Sequence, residues 1–104
     1  MNALTEKQIL FSSMIAELLK IAEELEYGVV LGHAYRCDDC KVGKKNSLHK
    51  ICLAIDLNLF RDDEFLTETK DYTELGEIWE DMGGTWGGRF NDGNHFSLKH
   101  NGVM

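Results

Sequence analysis

Proline is absent from this chain of 104 residues. No apolar run in it reaches the roughly 20 residues of a membrane-spanning helix. With ten glycines and no proline, tight turns are expected rather than a disordered linker. Cations are scarce: 11 Lys and Arg against 18 Asp and Glu leave a net charge of -7. That balance excludes nucleic acid as a partner, because phosphate binding needs clustered Lys and Arg. The one basic cluster, KVGKKNSLHK, is short and reads as a solvated loop. The polar start MNALTEKQ lacks the charged-then-apolar layout of a signal peptide. Synthesis in the cytoplasm is therefore expected, and action outside the cell would require release by another agent.

A disulfide framework is excluded on similar grounds, since the three cysteines are odd in number and no secretory signal precedes them. Cys37 and Cys40 form CDDC, a spacing shared by zinc knuckles and redox pairs. No second ligand pair follows, and the two aspartates between them disfavour a thiolate. Reduced loop cysteines are the expectation, with a structural metal or a reversible disulfide as the alternative.

What remains suits a folded protein. A hydrophobic content of 43% and an aromatic content of 10% fit one domain, residues 1–104, with a single modest core. TEKQILFSSMIAELLKIAEELEYG predicts a helix that opens on a capping box, Thr5 to Gln8, and closes at Gly28. Phe11, Met14, Ile15, Leu18, Leu19, Ala22 and Leu25 recur at helical spacing and mark its core-facing stripe. VVLGHAYR reads as a short strand, CLAIDLNLF as a second, and RDDEF as an acidic turn. DYTELGEIWEDMGG predicts a second helix with Leu75, Ile78, Trp79 and Met82 on one face and Gly83 at its end. TWGGRFNDGNHFSL reads as a glycine-rich loop feeding a last short strand near Asn94 to Leu98. The order predicts an α+β fold: two helices and a small, mainly antiparallel sheet.

One position in this layout is chemically awkward. Leu53, Ile55, Leu57 and Leu59 alternate as a half-buried strand should, yet Asp56 stands among them with His49 seven residues earlier. An unpaired buried carboxylate is costly, so Asp56 needs a cation, a set of donors or a metal. His95, at the start of the last strand, supplies a second imidazole. Two imidazoles and a carboxylate suit Zn²⁺ with one position left to water, and Asp92 lies three residues before His95 in DGNH. From there its carboxylate is within reach of that water as a general base. His33 is expected to be structural and His100 solvated.

SLHKICLAID fits Ser-x-His-x-x-Gly-x-Ala-x-Asp, and WGGRFNDGNHF fits Trp-Gly-Gly followed by Asp-x-x-His-Phe. Together, over roughly residues 28–98, these resemble the zinc peptidases of bacterial cell walls. That family includes VanY-like D-Ala-D-Ala carboxypeptidases and phage endolysins that cut between L-Ala and D-Glu, and it shares the Hedgehog fold. The resemblance implies Zn²⁺ held by His49, Asp56 and His95, with Asp92 as the catalytic base. It places Arg36 on an arginine that holds a substrate carboxylate or polarises the scissile carbonyl, and Ser47 on a serine that orients substrate. The Asp-x-x-His spacing looks more like the phage endopeptidases than the carboxypeptidases. Cys52 departs from the pattern, standing where it has glycine.

The expected function is thus that of a monomeric zinc peptidase hydrolysing peptidoglycan stem peptides. It would be phage- or prophage-encoded, made in the cytoplasm, and active on the wall after release or as part of the virion. A D-Ala-D-Ala carboxypeptidase is the nearer alternative. A non-catalytic, zinc-stabilised binding or structural module of a phage particle is the more distant one.

Overall fold

The computed structural model of the chain describes residues 2–32 and 53–99. Helix α1 spans Ala3–Glu24. Its cap is Asn2, whose side-chain oxygen accepts from the backbone N–H of Thr5 at 2.8 Å. The cap therefore lies three residues before the Thr5 expected from the sequence. Asn, among the best capping residues, satisfies one of the first-turn donors and lets the helix begin there. The end differs too: the chain leaves the helix at Leu25 and Glu26 takes a left-handed φ of 69°. Gly28 then opens strand β1 (Gly28–Leu31) rather than closing the helix.

Phe11, Met14, Ile15, Leu18 and Ala22 are buried on one stripe of α1, and Leu19 and Leu25 pack partly buried beside them. Strand β2 (Ala54–Arg61) supplies the facing surface. Its alternation sends Ile55, Leu57 and Leu59 into that core, so Asp56 and Asn58 emerge on the opposite face. Helix α2 (Thr73–Asp81) follows a 3-10 turn at Thr69–Tyr72 and ends as predicted at Gly83, which has a φ of 102°. Trp79 of α2 is fully buried between Phe11 and Phe96, meeting both rings edge-on. Its indole N–H is shared between the carbonyls of Ser97, at 2.9 Å, and Thr85, at 3.1 Å.

Among the described residues the sheet has five strands in the order β1-β2-β5-β4, where β4 is Thr85–Trp86 and β5 is His95–Ser97, with β3 (Glu64–Phe65) paired to the end of β2. Every pairing is antiparallel. Two helices and an antiparallel sheet make the α+β class expected, but two strands go beyond the expected three. The acidic turn is a hairpin, with Asp62 and Asp63 both at positive φ (52° and 63°), so Arg61 pairs with Glu64. The glycine-rich loop contains β4 (Thr85–Trp86), which pairs with β5 (His95–Ser97). Among the described residues no helix is long and apolar enough to cross a membrane.

Candidate functional site

Asp56 and His95 are direct cross-strand partners in the β2–β5 ladder. Partners in an antiparallel pair point to the same side. Their neighbours Ile55 and Phe96, one residue along, face the core instead. Asp56 and His95 therefore share the sheet face away from the helices. Both are sheltered: the His95 side chain is 9% exposed and that of Asp56 14%.

Asp92 reaches the same imidazole by a local route. The Asp92 carbonyl accepts from His95 N–H at 3.1 Å, closing the turn Asp92-Gly93-Asn94-His95. Asp92 N–H donates to the Gly87 carbonyl at 2.9 Å, and the buried Trp86 indole donates to the Gly93 carbonyl at 2.7 Å. The Trp-Gly-Gly segment is thus the scaffold of this turn. A Cβ on Gly87 would lie 2.7 Å from His95 Cβ, and one on Gly93 would lie 2.7 Å from Thr69 Cα. Only glycine permits either approach. Ahead of the turn, Gly87–Phe90 form a 3-10 turn that ends at Asn91 in the left-handed region.

The two carboxylates converge on one atom. His95 Nδ1 lies 3.9 Å from Asp56 Oδ1 and 3.9 Å from Asp92 Oδ2. Both separations exceed a hydrogen bond. They approach the roughly 3.4 Å between two ligand atoms that share a tetrahedral zinc at about 2.1 Å. The donor set, a carboxylate and an imidazole on one face, fits zinc by its chemistry, and the clustered negative charge favours a cation there. Asp92 differs from Asp56 in being 53% exposed, which leaves its carboxylate open to water and to a substrate.

Of the three expected metal ligands, Asp56 and His95 are brought together, whereas His49 lies outside the described residues, as do Arg36 and Ser47. His33, Cys37, Cys40, Cys52 and His100 also lie outside them. Among the described residues no group of three or more His, Cys, Asp or Glu has the arrangement of a metal site. Sequence reasoning missed the surroundings of the cluster. Gly32, at the end of β1, donates to the Asp56 carbonyl at 2.7 Å, and a Cβ there would lie 3.0 Å from Asp56 Cβ. Phe90 is 45% exposed and lies with its ring 6.2 Å from the imidazole of His95. A cleft of about 250 Å³ opens beside Asp92, with Asn58, Thr67, Glu68, Thr69 and Asn94 along it.

A sheltered imidazole thus stands between a sheltered and an exposed carboxylate. The family model described as D-alanyl-D-alanine carboxypeptidase matches residues 41–98, more than half of the chain. The chain belongs to this family of peptidases, which includes the VanY-like enzymes. No curated protein matches it.

Proposed function

We propose that the protein is a zinc-dependent peptidase of peptidoglycan stem peptides, of the L-alanyl-D-glutamate endopeptidase type, used in lysis by a phage or prophage. The observation that carries this reading is the convergence of Asp56 and Asp92 on His95 Nδ1, at 3.9 Å each. His49, Asp56 and His95 are the residues that would hold zinc. Zinc, when bound, supplies Lewis acidity toward a peptide carbonyl and lowers the pKa of water toward about 7. Asp92, exposed and next to His95, takes the proton of the attacking water and delivers it to the leaving amine. Arg36 holds a substrate carboxylate or the developing oxyanion, and Ser47 orients the substrate. Asp at position 92, where the carboxypeptidases that the chain resembles usually have Glu, favours the endopeptidase over the carboxypeptidase. The description of the matching family favours the carboxypeptidase, which is retained as the second reading.

The test is mass spectrometry of muropeptides after digestion of purified peptidoglycan, with and without a chelator. The endopeptidase reading expects cleavage between L-Ala and D-Glu that the chelator abolishes. Release of terminal D-Ala instead selects the carboxypeptidase. Asp92→Asn should keep its zinc and lose turnover by about 10²- to 10⁴-fold, whereas a non-catalytic binding module would be indifferent to it. Purified protein without stoichiometric zinc would sink the metal assignment.

A further inference from the structure

Two asparagines stand beside the cluster, on the same side of the sheet. Asn58 follows Asp56 by two residues on β2 and so shares its face. Asn94 lies within the Asp92–His95 turn. The Asn94 side-chain N–H donates to Asn58 Oδ1 at 3.1 Å, half-buried. That bond engages the donor of one amide and the acceptor of the other. Asn58 Nδ2 and Asn94 Oδ1 are a further donor and acceptor of the pair, the kinds of group that complement a peptide group. Both residues line the cleft that opens beside Asp92.

The charge of the cleft narrows its occupant. Among the described residues its charged lining residues are Glu68 and Asp92, and none is Lys or Arg. Glu68 is paired on the outer rim with the exposed Lys70, at 3.0 Å. A free carboxylate is disfavoured there, while an uncharged stretch of peptide is accepted. Thr67 and Thr69 add hydroxyls along the wall.

We infer that this cleft is the subsite for an internal stretch of the substrate, in which the Asn58–Asn94 pair binds one peptide group beside Asp92. The inference rests on the peptidase reading and extends it to two further substrate-positioning residues. Stem-peptide recognition on this side is then by backbone, with the cleft walls selecting against a terminal carboxylate.

The experiment measures kcat and KM separately on a synthetic stem tetrapeptide, for zinc-supplemented wild type, Asn58→Leu and Asn94→Leu. Loss of one or two hydrogen bonds predicts a KM raised about three- to tenfold, with kcat within about twofold and zinc content unchanged. Thr67→Trp, at an exposed rim position, fills the cleft without disturbing the core and should raise KM likewise, even if an Asn variant fails to fold. Amide NMR of Asp92→Asn, which holds the peptide uncleaved, should show peptide-induced shifts at Thr67, Thr69 and Asn94. If wild type cleaves and all three variants keep its KM, the subsite is overturned and the peptidase reading stands. If wild type cleaves nothing yet the peptide shifts those amides, the subsite stands and the peptidase reading falls. Neither cleavage nor shifts would overturn both.

Discussion

Gly87→Ala isolates the connection between the Trp-Gly-Gly segment and the proposed chemistry. The added methyl would lie 2.3 Å from the Asp92 carbonyl oxygen, 2.7 Å from His95 Cβ and 3.2 Å from Asp92 Cβ. Ordinary contact begins near 3.4 Å, so the Asp92 carbonyl would have to retreat by about 1 Å. That carbonyl closes the turn on His95 N–H, and Gly87 in turn accepts from Asp92 N–H at 2.9 Å. Retreat therefore weakens the bonds that set the two side chains relative to each other. Overpacking of this kind costs about 1–3 kcal/mol. For a chain of this size that is a fall in Tm of roughly 5–15 °C. A displacement of about 1 Å in a catalytic group costs on the order of 10² in rate. Gly28→Ala is the control: its Cβ meets nothing nearer than 3.5 Å. The assays are thermal melting by circular dichroism, zinc content of the purified protein, and turnover of the stem peptide. Gly87→Ala should lose rate beyond what its loss of stability explains, while Gly28→Ala stays close to wild type in both. A Gly87→Ala protein with unchanged Tm and rate within twofold would refute the packing argument.

Two further outcomes follow from the scaffold. Tyr72 is buried; its hydroxyl donates to the Leu66 carbonyl at 2.8 Å and accepts from the buried Leu59 N–H at 3.1 Å. Tyr72→Phe leaves that N–H without its partner and should cost about 1–3 kcal/mol in urea unfolding, with the m-value preserved; an unchanged midpoint would count against the bond. Glu80 accepts from Arg89 at 2.6 and 3.0 Å, and these bonds hold its carboxyl below the ordinary value of 4.5. Its folded value is the lower one, so its contribution is complete above the unfolded pKa and is lost as pH falls through the folded pKa. Glu80→Gln should therefore cost less than about 1 kcal/mol at pH 7, as expected of a partly exposed pair, and make Tm less sensitive to pH on the acid side of pH 5. Equal pH sensitivity in the variant would show that the pair contributes nothing.

Local periodicity carries the parts of the protein that were legible without coordinates. Seven apolar residues at helical spacing mark α1, four mark α2, and alternating leucines mark β2, because side-chain direction within one element depends only on neighbouring residues. The same alternation puts Asp56 on the face away from the core, so its need of a partner is already visible. Strands β3 and β4, two residues each, show no such period; they are strands only because β2 and β5 lie beside them to supply the ladder. The α1 cap was missed because Asn2 and Thr5 are both good caps, and only the Asn2 bond to Thr5 N–H distinguishes them. At the site, the wording of two motifs picks out Asp56, Asp92 and His95, while a β2–β5 register of Asp56 against His95 is what brings them to one nitrogen. A slip of one residue would have sent His95 to the helix side. Asn58 and Asn94 form no motif and meet only across that register. The sequence by itself determined which side chains are candidates for the chemistry and which way each leaves its own strand. Tertiary structure decided which of them meet, since distance between strands is set by pairing and packing that no local pattern encodes.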